Sequence, residues 1–255
     1  MNLINMNSKS LFILAAFSLL VVLPGAASAA YPEDPNAWKF DAQIYLWGAS
    51  LGVETVTGVG IEDSFGDILS DLEMAFMGTF AAQKGKWAMI GDVIYLDLEQ
   101  KESTQGPPAV DAKIELKGWI VNLMGGYALM QRERNVLNLA FGARYLGLDT
   151  DVNLNVDSTP FQLLKSDGAW NGVVGLQGEA GFAKHWYFNY LLDVGTGDSE
   201  LTWQALAGLG YEFKNLDLKF GYRYLAWEFD DSDTFGKAFS KLDISGPYAG
   251  IKFKF

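Results

Sequence analysis

The 255-residue chain has no cysteine and a single histidine. The first absence excludes disulfides, thiolate metal sites, iron–sulfur clusters and thiol nucleophiles. The second rules out a histidine-rich metal cage and leaves little imidazole for acid–base catalysis. Bases are scarce: 19 Lys and Arg stand against 31 Asp and Glu, a formal charge of −12. That balance argues against nucleic acid as a partner, because its binders need cations to displace phosphate counterions. After Leu23 there is no run of 18 apolar residues, so no transmembrane helix is expected there. Apolar residues still make up 49% of the chain, far too many for a disordered acidic polymer.

The chain starts with targeting features. Lys9 precedes an apolar run from Leu11 to Leu23, broken by Pro24 and Gly25 and followed by Ala27-Ser28-Ala29. This is the order of a secretory signal, with cleavage expected after Ala29 or Ala30. Residues 1–30 are therefore read as a signal peptide and 31–255 as one domain. Export without cysteine fits a bacterial envelope. If the mature chain enters a membrane it must do so as a closed β-barrel, since only helices and barrels satisfy their own backbone in lipid.

The mature chain alternates with period two. From Val136 to Leu146, one parity gives Leu137, Leu139, Phe141, Ala143 and Tyr145, and the other Asn138, Ala140, Gly142 and Arg144. Successive strand side chains point to opposite faces, so one face is oily and the other small or polar. The pattern recurs from Trp170 to Phe182, Trp186 to Val194, Leu201 to Glu212 and Leu218 to Tyr224. It is present less cleanly near Phe40, Leu72, Trp87, Trp119 and in the last strand from Lys241. The spacing predicts ten strands, each long enough for the ~9–11 residues of a tilted membrane strand. Aromatics near both ends of the oily faces, such as Trp170 with Phe182 and Trp203 with Tyr211, have the spacing of two interfacial girdles. A glycine-rich face with isolated charges suits a narrow interior and would make a poor outer coat. The fold expected is an all-β, antiparallel, up-and-down transmembrane β-barrel.

Connections alternate short and long. Lys84-Gly85-Lys86, Gln131 to Asn135, Lys184-His185 and Lys214-Asn215 are short; Leu51 to Asp71, Glu99 to Asp111, Asp149 to Asp167, Gly195 to Glu200 and Glu228 to Lys241 are long. Tight periplasmic turns and longer outer loops give this alternation, with both termini on the periplasmic side. Between Leu51 and Asp71 stand four acids and no base; Asp149 to Asp167 inclusive holds four acids and one base. The short turns carry Lys84, Lys86, Arg132, Arg134, Lys184 and Lys214 against Glu133 alone. In the first outer loop, Ser64 reads as a cap, and Phe65, Ile68, Leu69 and Leu72 share one face of a short helix, a candidate lid.

The chain ends Ile251-Lys252-Phe253-Lys254-Phe255, alternating apolar and basic and closing on an aromatic. This resembles the terminal signature of bacterial outer-membrane barrels, and the mature chain as a pattern resembles their compact OmpA/OmpW-like class. The resemblance implies outer-membrane lipid and lipopolysaccharide as surroundings, and recognition of Phe255 by the barrel-insertion machinery.

An enzyme is not expected. The one imidazole, His185, falls in a short turn beside Trp186, and the acid runs read as solvated loops. No metal or cofactor is implied. The inward charges are Asp92, Arg144, Glu179, Asp193 and Arg223, placed at mid-depth. Buried charges must pair, so Arg144 is expected to meet Glu179 or Asp193, and Arg223 to meet Glu212 or another acid. The reading is a passive narrow channel for small solutes in the outer membrane. The alternative is a closed-lumen structural or surface-interaction barrel with no transport.

Overall fold

In the computed structural model the described residues are 37–55, 60–64, 66, 68, 71–104, 110–132, 134–156, 159–230, 235 and 239–255. The signal segment lies outside them. Among the described residues twelve strands occur: β1 (Lys39–Trp47), β2 (Ser50–Thr55), β3 (Gly60–Asp63), β4 (Leu72–Lys84), β5 (Trp87–Thr104), β6 (Val110–Arg132), β7 (Asn135–Val156), β8 (Thr159–Gly181), β9 (Trp186–Gly197), β10 (Leu201–Glu212), β11 (Leu216–Glu228) and β12 (Phe239–Lys254).

All pairings are antiparallel, and β12 returns to pair with β1, closing the sheet. β1 meets β12 from Asp41↔Lys254 to Trp47↔Tyr248, and β2 continues along the same strand from Ser50↔Ser245 to Thr55↔Phe239. β1 and β2 thus form one stave, and β3 pairs only with β2, outside the ring. The ring therefore has ten staves, as the alternation indicated. At the seam, Phe255 N–H donates to the Phe40 carbonyl at 2.9 Å, bringing the last residue beside the first strand at the short-turn end. Gly85 allows the two-residue turn from β4 to β5, with φ of 57° in the left-handed region.

The wall is turned inside out relative to a soluble barrel. Phe76, Trp87, Met89, Leu123, Phe141, Trp170, Leu192 and Phe220 are exposed on its outside, while Asn122, Arg144, Asn171, Asp193, Gln204 and Arg223 are buried within. Facing inward and outward thus follow the parities read from the sequence. Tyr95–Trp119, Tyr145–Trp170 and Trp203–Tyr224 pack as ring pairs toward the loop end, and Trp87–Tyr127 and Trp186–Tyr211 toward the turn end. These are two aromatic girdles at the depths where lipid meets water. No helix of the described residues is long and apolar enough to cross a membrane.

One expectation changes. Much of what reads as long loop is strand: β5 has 18 residues, β6 23, β7 22 and β8 23. At ~3.3 Å per residue β6 is about 75 Å long, far beyond what a bilayer needs. The four strands rise past the girdle as an open sheet. Its outward face changes abruptly: beyond Tyr95 and Trp119 come Asp97, Glu99, Lys117, Glu115 and Lys113, with Lys113 bridged to Glu99 at 3.0 Å. The short helix expected after Ser64 falls largely outside the described residues, among which Gly66, Ile68 and Asp71 are helical. Phe65 and Leu69 lie outside the described residues, Ile68 N–H bonds to the Ser64 carbonyl at 3.1 Å, and Leu72 already belongs to β4.

Candidate functional site: a polar ring across the lumen

Facing positions of six staves project polar side chains into one layer. Arg144 of β7 donates from Nη2 to Asp193 Oδ1 of β9 at 2.6 Å. Gln204 Nε2 of β10 donates to Asp193 Oδ2 at 3.3 Å, and its Oε1 accepts from Arg223 Nε and Nη2 of β11 at 3.0 and 2.6 Å. Arg223 Nη2 reaches across to Asp92 Oδ2 of β5 at 2.9 Å. Asn122 Nδ2 of β6 donates to the same Asp92 oxygen at 3.2 Å, and its Oδ1 accepts from Arg144 Nε at 2.7 Å. The six side chains close a circuit.

The circuit is braced from outside. Tyr45 OH and Thr79 Oγ1 donate to Asp92 Oδ1 at 2.6 and 3.0 Å, and Arg223 Nη1 donates to Tyr45 at 3.0 Å. Arg144 Nη1 donates to Thr202 Oγ1 at 3.0 Å, which passes its own proton to the Ala226 carbonyl at 2.9 Å. The Arg223 guanidinium also sits 5.0 Å from the Trp47 ring. Two cations and two carboxylates make the layer neutral. The Arg144 and Asp193 side chains have no exposure at all. Such a layer is stable because every buried charge has both an opposite charge and hydrogen bonds.

Toward the loop end the lumen is filled by a buried apolar cluster that includes Trp47, Met77, Ile94, Ile120, Leu146, Leu225, Trp227 and Ile244. Toward the turn end lies a second ionic layer. Glu179 receives Lys219 and Lys252 at 3.0 and 3.1 Å, and Asp217 receives Lys252 and Lys254 at 3.1 and 2.8 Å. The two lysines of the terminal pentad therefore point inward while its apolar residues take the other parity.

Four of the five inward charges singled out from sequence meet in the ring: Asp92, Arg144, Asp193 and Arg223. Glu179 does not; it belongs to the lower layer, and Arg144 takes Asp193 as its partner. Arg223 takes Asp92, while Glu212 faces Lys254 at 3.1 Å. Asn122 and Gln204 complete the circuit and were not singled out, because an uncharged amide on a glycine-rich face carries little signal by itself. Their placement at mid-strand on the inner parity was the available hint. Of the candidate lid residues, Ile68 is half-buried and Leu72 starts a wall strand, while Phe65 and Leu69 lie outside the described residues.

Outside the membrane-spanning part, Lys113 is held above the ordinary lysine value, first by its hydrogen bond to Glu115 and then by that to Glu99. His185 is exposed in the turn before β9, its ring 5.6 Å from that of Tyr211. Among the described residues no three carboxylate or imidazole groups converge as a metal site.

No protein-family model and no curated protein matches the chain. Solved structures similar to it include the outer membrane protease OmpT from Escherichia coli, at 8% identity and a TM-score of 0.46 over 90% of this chain and 100% of that one. The translocator domain of autotransporter NalP from Neisseria meningitidis is 12% identical with a TM-score of 0.48, covering 97% of each chain. The attachment invasion locus protein Ail of Yersinia pestis is 9% identical with a TM-score of 0.37, over 86% and 99%. With a closed ten-stave wall, oily outside and polar within, and a girdle at each end, this chain has the fold of an antiparallel transmembrane β-barrel.

Proposed function

We propose that the protein is an integral barrel of a Gram-negative outer membrane whose resting lumen is closed, and that it works as a structural or surface-presenting protein without catalysis. The observation that carries this reading is the hydrogen-bonded circuit of Arg144, Asp193, Gln204, Arg223, Asp92 and Asn122 across the bore. An ion would have to break bonds between buried charges to pass it, and the apolar cluster above offers no replacement ligands. The signal-like segment before residue 31 and the seam position of Phe255 support export and insertion from the C-terminal end. Lipopolysaccharide would surround the upper wall. The sheet of β5 to β8 supports a surface role, because β5 runs past its last pairing with β4 at Leu98 and β8 past its last pairing with β9 at Asn171. The exposed His185 in an inner turn supports a non-catalytic reading.

Planar-bilayer recording of the wild type, Arg144→Ala and Arg223→Ala tests it. A silent wild type with variants that open measurable steps is expected. Steady conductance through the wild type would overturn the closed reading in favour of a narrow solute channel.

A further inference from the structure

The inner rim has a groove that the lumen does not use. The turn from β8 to β9 (residues 182–185) and the turn from β10 to β11 (residues 213–215) lie side by side, tied by Glu212 N–H donating to the His185 carbonyl at 2.7 Å. Between them opens a groove of about 530 Å³, lined by Lys184, His185, Tyr211, Glu212, Phe213 and Lys214. Tyr211 lines it and meets the rings of Trp186 and Phe213 edge to face at 5.0 and 4.8 Å. Phe182, Phe213 and Phe220 are exposed on the wall around it.

The electrostatics are one-sided. Glu212 is engaged by Lys254 at 3.1 Å and Arg134 at 3.8 Å. Among the described residues Lys184 and Lys214 have no carboxylate partner, so two free ammonium groups flank a groove that sits on the turn-end aromatic girdle. Charged heads at the water boundary with aromatic surface beneath them match a molecule with an anionic head and apolar tails. We infer that this groove binds the phosphate head of an anionic glycerophospholipid in the leaflet facing the short turns, with Lys184 and Lys214 holding the phosphate and the acyl chains lying along Phe213 and Phe220. The inference relies on the outer-membrane reading only for which leaflet supplies the lipid.

The test uses the full mature chain in detergent, exposed to equal phosphatidylglycerol and phosphatidylcholine of matched chains, with retained lipid read by native mass spectrometry. A preference for phosphatidylglycerol of about thirtyfold is expected, each lysine near an anionic surface contributing roughly fivefold. Lys184→Gln with Lys214→Gln should bring the ratio close to one. Lys84→Gln with Lys86→Gln should leave it, because those ammonium groups lie over Trp38 and Tyr127 at 5.6 and 5.9 Å, on other turns. Excess inorganic phosphate should leave the lipid bound, and displacement by it would point to a free-anion site and overturn the lipid assignment. No wild-type preference, a preference kept in the first pair, or equal loss in the second would each overturn the inference. A heat-dependent gel shift checks that every variant is folded. Conductance should not respond to these substitutions, so failure here is separable from failure of the closed-lumen reading.

Discussion

Removing the charge of Arg144 is the sharpest perturbation of the ring. In Arg144→Met the Asp193 carboxylate loses its 2.6 Å partner and keeps Gln204 at 3.3 Å, in a position without exposure. Breaking a buried pair from one side costs about 3–5 kcal/mol, because the remaining charge stays desolvated. Asp193→Asn alone leaves Arg144 with the neutral oxygens of Asn122 and Thr202 and should cost a similar amount. The double variant leaves no unpaired charge. Its cost should fall to roughly that of the three hydrogen bonds Arg144 donates, about 1.5–4.5 kcal/mol. The coupling between the two sites should therefore be at least about 1.5 kcal/mol. Denaturant unfolding in micelles, followed by tryptophan fluorescence and the folded band on unboiled gels, supplies the four stabilities of the cycle. Single costs that add within about 0.5 kcal/mol would refute the reasoning, since independent sites behave that way.

Further outcomes follow from backbone contact and outer charge. A Cβ on Gly142 would lie 2.0 Å from the Leu123 carbonyl oxygen, whereas one on Gly91 meets nothing nearer than a Leu123 methyl at 3.7 Å. Gly142→Ala should cost at least about 2 kcal/mol and deplete the heat-modifiable band, and Gly91→Ala should stay within about 0.5 kcal/mol. The raised Lys113 value means that its contribution to the outer sheet is complete below the unfolded lysine pKa and is lost only as the pH rises through the higher folded value. Amide protection factors at the β5–β6 tip should thus stay constant from about pH 6 to about pH 9, and a decline inside that window would contradict the pairing with Glu115 and Glu99.

The ten staves and their facing were legible because lipid imposes a contrast within each strand. Leu137, Leu139 and Phe141 against Asn138, Ala140 and Gly142 can be sorted without any tertiary knowledge. The outer sheet was not legible for the same reason. Along Asp97 to Thr104 both parities carry polar residues, and along Val110 to Lys117 the contrast reverses, with Asp111, Lys113, Glu115 and Lys117 on the parity that is oily below the girdle, so the lipid-facing pattern that marks the wall is lost. Partner choice in the lumen was half legible. That Arg144 and Arg223 need acids follows from burial alone. That Arg223 meets Asp92, 131 positions away, depends on how the sheet closes and staggers, which no local pattern records.

The most direct measurement concerns which side of the wall lipid touches, and the absence of cysteine makes it clean. Single cysteines along β9, spin-labelled in bilayer vesicles, report collision with oxygen, which concentrates in lipid, against a polar nickel chelate. Phe188→Cys, Leu192→Cys and Val194→Cys replace exposed residues, and Asn189→Cys and Asp193→Cys replace buried ones. Oxygen accessibility should be high at the first three and low at the other two, repeating every second residue. High accessibility to the nickel chelate at Phe188, Leu192 and Val194 would mean that water covers the oily face, and the barrel could not be the membrane-spanning one described.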